Sequence, residues 1–115
     1  MIFLKRLRIS LEELLIREAA RREGAFRNLP KLLKKMKQVL SEADRESRIF
    51  LFGSVAKNEH VLTSDIDILI LTKLKPSEVI AKLRKEGFDE PFEFHVMDEN
   101  RFKFYNELIR ELKEI

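Results

Sequence analysis

Asp65 and Asp67 stand at the start of the apolar run Ile66 to Leu71, two carboxylates separated by one residue. Alternate side chains of a strand share a face, so the two acids would point the same way with Cα atoms about 6.5 to 7 Å apart. Two carboxylates on one face of an apolar strand are costly to bury unless they are paired or bind a cation. Hard oxygen donors of this kind suit Mg²⁺, which takes one or two carboxylates and completes its shell with water and phosphate oxygens. The alternative is that both acids precede the strand and face water. Gly53 and Ser54 bear on that choice. They follow a shorter apolar run, Ile49 to Phe52, and precede Asp65 by ten intervening residues. A strand that ends in glycine and serine and turns into a helix offers free amides and a hydroxyl to an anion. The two halves together describe a phosphate grip facing a cation site.

The elements that would position these residues can be read along the chain. Met1 to Ile9 mixes apolar and basic residues too irregularly to assign, as a short strand or an arm. Ser10-Leu11-Glu12-Glu13 is a capping box, which predicts a helix whose stripe is Leu11, Leu14, Leu15 and Ala19 and whose pattern fades near Gly24. A second helix has Asn28 as its cap, Pro30 in its first turn and Leu32, Leu33, Met36, Val39 and Leu40 as its stripe. Both stripes are expected to be core. Ile49 to Phe52 and Ile66 to Leu71 are continuous apolar runs, the pattern of strands covered on both faces. A short helix or turn and a polar loop around His60 fill Val55 to Ser64. Pro76 and Ser77 start a helix through Val79, Ile80 and Leu83 that Gly87 should close with a left-handed cap. Phe92, Phe94 and Val96 alternate with Glu93, His95 and Met97 as a period-two strand. Asp98 then caps a last helix with the stripe Phe102, Tyr105, Leu108, Ile109 and Leu112.

At 115 residues the chain has room for one core, with an N-terminal helical extension at residues 1–45 and the core at 46–115. No apolar run approaches the roughly 18 residues of a membrane-spanning helix, and the first residues are too short in their apolar part for a secretory signal. Without cysteine there is neither a disulfide framework nor a thiolate metal site, which agrees with a cytoplasmic location. The net charge of +3 is unevenly spread, about +6 over residues 1–48 and −3 over the remainder. A basic front half can approach nucleic acid or an acidic protein face, although Phe3 and Phe26 are the sole aromatic residues among its lysines and arginines.

The spacing Gly53-Ser54, ten residues, Asp65-Ile66-Asp67, within Leu51-Phe52-Gly53-Ser54-Val55-Ala56-Lys57, resembles the signature of the DNA polymerase beta nucleotidyltransferase superfamily. It is most similar to the minimal nucleotidyltransferases, which are often the antitoxin half of a pair with a helical HEPN-domain toxin. The resemblance covers about residues 49 to 97. It implies an α+β fold, a small mixed sheet packed against helices, with two Mg²⁺ ions, or Mn²⁺ in their place, and a nucleoside triphosphate, ATP by similarity. It also implies a third carboxylate from a later strand, and the matching position is Glu93, with Asp89, Glu90 and Asp98 as competing acids at strand ends or in loops. Asp65, Asp67 and Glu93 would then hold the metals, and Gly53 and Ser54 the phosphates. Val55 stands where many relatives carry arginine, and Lys57 is the residue that could restore the charge. His95 is open to two roles, phosphate contact or deprotonation of the acceptor, beside the plainer one of a polar strand residue.

On this resemblance the expected activity is metal-dependent transfer of a nucleoside monophosphate to a hydroxyl, with a tyrosine of a partner protein such as a HEPN-type toxin as the suggested acceptor. So short a core leaves the acceptor to a partner, or the chain forms a homodimer through its first two helices. The competing expectation is a module that keeps the fold and neutralises its partner by occlusion, without turnover.

Overall fold

The computed structural model describes residues 10–56, 65–109 and 111–115, with Ser54 and Val55 described by backbone alone. The element order is α1 (Leu11–Arg27), α2 (Leu29–Ala43), β1 (Arg48–Phe52), α3 (Gly53–Ala56), β2 (Ile66–Leu71), α4 (Pro76–Lys85), β3 (Phe92–Met97), α5 (Glu99–Leu108) and β4 (Lys113–Glu114). The expected α+β architecture is present, with one mixed four-stranded sheet in the order β3-β2-β1-β4. β1 runs antiparallel to β2 and to β4, while β2 and β3 are parallel.

Strand alternation divides the core in two. Ile49, Leu51, Ile66, Ile68, Ile70, Phe92 and Val96 point to one face, where Leu33, Met36, Val39 and Leu40 of α2 and Val79 and Leu83 of α4 cover them. Phe50, Leu69 and Met97 point to the other, against Phe102 and Tyr105 of α5 together with Ile109 and Leu112. Full burial of side chains such as Met36, Ile66, Ile68 and Leu83 contributes about 1.5–3 kcal/mol apiece, so this packing outweighs any single cap.

Three helix ends follow their local signals and one does not. Ser10 Oγ accepts from the Glu13 amide at 3.0 Å, and Asp98 Oδ1 accepts from the Arg101 amide at 2.9 Å. After α4, Gly87 has φ +94°. Its amide reaches the Arg84 carbonyl and that of Phe88 the Leu83 carbonyl, both at 3.0 Å, which satisfies two of the last free carbonyls of the helix. Asn28 precedes α2 without a side-chain cap bond and donates instead to the Gly24 carbonyl at 3.0 Å.

Three sequence expectations are corrected. The helix of the capping box does not fade at Gly24 but continues to Arg27. Its stripe is not core: Leu11 is 49% and Leu15 60% exposed, Ala19 is exposed and Leu14 half-buried, the neighbouring Ile16 is 62% exposed, and Ala25 is the buried residue of α1. Among the described residues, the helix meets the body near its C-terminal end, through Arg22, Ala25 and Phe26. The third correction is the chain end, which returns to pair with β1 instead of stopping at the last helix. Arg48 donates from Nε and Nη2 to the two carboxylate oxygens of Glu114 at 2.9 and 2.7 Å, fixing β4 at the edge. Met1 to Ile9, Lys57 and His60 lie outside the described residues. Among the described residues no helix is long and apolar enough to cross a membrane.

Candidate functional site

The parallel register of β2 and β3 sets Asp67 opposite Glu93 and Leu69 opposite His95, while antiparallel β1 brings Phe52 opposite Asp67. With period-two alternation, Asp67, Glu93 and His95 therefore rise from neighbouring strands on the α5 side of the sheet. One ligand atom from each of the three lies within 4.8 Å of the other two. His95 Nε2 is 3.3 Å from Asp67 Oδ1 and 3.9 Å from Glu93 Oε1. In the tautomer with its proton on Nε2, the imidazole donates to Asp67. Its ring also meets Phe52 edge-on, with centroids 5.1 Å apart.

Asp67 rests on glycine. Gly53 has φ +77°, a conformation that side chains other than hydrogen strain, and its α-carbon is covered by the Asp67 carboxylate. A Cβ there would overlap Asp67 Oδ2 far inside van der Waals contact and approach Cγ to 3.3 Å. The glycine is thus required both by the turn from β1 into α3 and by the acid beside it. Ser54 follows in α3.

The structure separates the two acids that the sequence presents as equivalent. Asp65 precedes β2, and its Oδ1 faces Arg22 Nη1 of α1 at 3.7 Å; Arg22 Nη2 is also 3.7 Å from Glu90 Oε2. Among the described residues the clustered donors are Asp67, Glu93 and His95, without Asp65. The acids that compete with Glu93 have other surroundings: Glu90 faces Arg22, Asp89 lies 4.0 Å from Arg84, and Asp98 caps α5. Two carboxylates and an imidazole in this arrangement fit a divalent cation. The family resemblance pointed to Glu93 as the partner acid, but no local pattern shows that it stands directly opposite Asp67, because register is a property of the paired strands.

A cleft of about 390 Å³ adjoins the cluster. Phe52, Leu69, His95, Arg101, Tyr105 and Ile109 line it, within the size range of small-molecule sites. Arg101 and Tyr105 are its polar residues from α5, and neither stands out in the sequence, where both read as parts of an amphipathic helix. A groove of about 490 Å³ lies at the other end of the strands, beside Asp44, Arg48, Thr72 and Asp98, away from the acid cluster.

The model of the nucleotidyltransferase domain family matches residues 33–115, most of the chain. A crystal structure provisionally named a nucleotidyltransferase is 28% identical, with a TM-score of 0.60 over 72% of this chain and 96% of that one. A second, from Sulfolobus solfataricus and named in the same provisional way, is 19% identical, with a TM-score of 0.49 over 78% of this chain and 84% of that one. No curated protein matches the chain. On the family match, with the likeness of fold to the first of these structures, the chain belongs to the nucleotidyltransferase domain family, whose general activity is nucleotidyl transfer.

Proposed function

We propose that this protein transfers AMP from ATP to a hydroxyl group, with Mg²⁺ as its cofactor, and that the acceptor is a tyrosine on a partner protein. The observation that carries this reading is the meeting of Asp67 and Glu93 on one face of the sheet, directly beside Gly53. In the reaction the acceptor oxygen bonds to the α-phosphorus as the bridge to the β-phosphate breaks and pyrophosphate departs. Divalent cations at this site supply a lowered pKa for the attacking hydroxyl and neutralise charge on the leaving pyrophosphate. Asp65, Asp67 and Glu93 would hold the cations, Asp65 by giving up its contact with Arg22. Gly53, Ser54 and Lys57 hold the β and γ phosphates. Arg101, in the adjoining cleft, supplies the cationic charge that Val55 does not. Catalysis is then mainly positioning and charge neutralisation.

The partner reading draws on α1. Its exposed Leu11, Leu15 and Ile16 lie within the N-terminal extension, residues 1–45, that we assign to partner contact, whether with a HEPN-type toxin or with a second copy of this chain. The same observation favours the second reading, a module that neutralises its partner by occlusion.

Incubation with labelled ATP, Mg²⁺ and candidate partner proteins tests both. Transfer of label by the wild type, reduced at least 100-fold in Asp67→Asn and Glu93→Gln, is the expected result. Tight partner binding without label transfer or metal-dependent nucleotide binding would replace the enzyme reading with occlusion.

A further inference from the structure

A site built from carboxylates has no need of an imidazole, yet His95 stands two residues from Glu93 on the same face of β3 and turns Nε2 toward both acids. The separations are those of a ligand set. Around a cation bound at about 2.1 Å, neighbouring octahedral ligands lie about 3 Å apart and opposed ones about 4.2 Å. The separations of 3.3 and 3.9 Å from Nε2, within a group spanning at most 4.8 Å, need only small side-chain adjustments to reach that geometry. The ring is also held in place, with Phe52 against it edge-on at 5.1 Å between centroids. Asp67 and His95 are half-buried and Glu93 is exposed, so the group is not sealed from solvent among the described residues.

We propose that His95 is a third protein ligand of the cation held by Asp67 and Glu93, and that its nitrogen biases the site toward first-row transition-metal dications relative to Mg²⁺. The inference rests on those two carboxylates being cation ligands. Its physical basis is donor chemistry. Imidazole nitrogen binds transition ions well, whereas Mg²⁺ holds its water tightly and prefers oxygen. A nitrogen that is coordinated cannot also accept the acceptor's proton, so this assignment replaces the general-base role for His95.

The test uses the full chain with Mn²⁺ or Mg²⁺, alone and with inorganic pyrophosphate, which supplies phosphate oxygens but no nitrogen. Pulsed electron paramagnetic resonance of the Mn²⁺ complex should show a directly coordinated ¹⁴N in the wild type and none in His95→Gln. By calorimetry, His95→Gln should weaken Mn²⁺ about tenfold or more and Mg²⁺ less than threefold. His95→Asp, which restores an oxygen donor, should retain binding, lose the nitrogen signal and shift the ratio toward Mg²⁺. If Mn²⁺ binds the wild type without nitrogen coupling, and Asp67→Asn abolishes that binding, the carboxylate site stands and the His95 assignment is overturned. Mn²⁺ binding that is absent, or unaffected by Asp67→Asn, overturns the carboxylate site and the His95 assignment with it.

Discussion

Alanine at Gly53 should damage the site more than it damages the fold, and Gly87→Ala supplies the comparison. Both glycines sit at positive φ, +77° and +94°. Placing alanine in the left-handed region costs roughly 1–2 kcal/mol, of which a few tenths are recovered from the stiffer unfolded chain. At Gly87 nothing lies within 4 Å of a new Cβ, so backbone strain is the whole effect, about 1 kcal/mol. At Gly53 the Cβ overlaps Asp67 Oδ2 and must push that carboxylate from its rotamer, adding about 0.5–1.5 kcal/mol. For a chain of this length 1 kcal/mol moves Tm by about 4 °C, so the expected losses are roughly 4 °C for Gly87→Ala and 8 °C for Gly53→Ala. The decisive assay is Mn²⁺ binding by calorimetry at a temperature where both variants are folded. Gly53→Ala should lose at least tenfold in affinity and Gly87→Ala should match the wild type. Equal metal binding by the two variants would refute the argument that Gly53 sets the position of Asp67.

Gly24 lies inside α1, and a Cβ added there would meet nothing within 4 Å, so Gly24→Ala should raise stability by about 0.5–1 kcal/mol, measured by urea denaturation. Asp44 is buried and accepts from Thr72 Oγ1 at 2.6 Å, and that hydrogen bond holds its carboxyl below the usual value of 3.8. A lowered folded pKa means stability that is present in full above the unfolded value and lost as pH falls through the folded one. Denaturation midpoints should therefore drop below about pH 4 in the wild type. Asp44→Asn should flatten that acid limb and cost about 1.5–3 kcal/mol at pH 7, and an unchanged limb would show that Asp44 is not its source. Arg22→Ala removes the cation 3.7 Å from Asp65 and should strengthen divalent-metal binding up to about fivefold, the effect of a partly exposed ion pair. Unchanged or weaker binding in that variant would remove Asp65 from the ligand set.

Much of the fold was legible because its signals are local. Ser10, Asp98 and Gly87 act on backbone groups within a few residues, and each does in the structure what its type and place predict. The apolar runs of β1 and β2 and the alternation of β3 likewise needed no knowledge of what they pack against. The stripe of α1 shows the limit of the same reasoning. Helical periodicity reports that a face is apolar, and only the rest of the molecule determines whether anything covers it. β4 lies beyond that limit, since Lys113 and Glu114 are charged and become a strand through pairing with β1 and the Arg48–Glu114 contact.

By itself, the sequence determined that an acid pair and a glycine-serine turn would be carried on neighbouring apolar strands of an α+β domain. Tertiary structure decided which acids meet. The two-residue spacing makes Asp65 and Asp67 equivalent only while the strand continues, and β2 begins at Ile66. Asp67 therefore stands within the sheet, over Gly53 and opposite Glu93, while Asp65 remains outside it against Arg22. His95 joins Asp67 by the same cause, a parallel register between strands 26 residues apart in pairing, which no local pattern encodes.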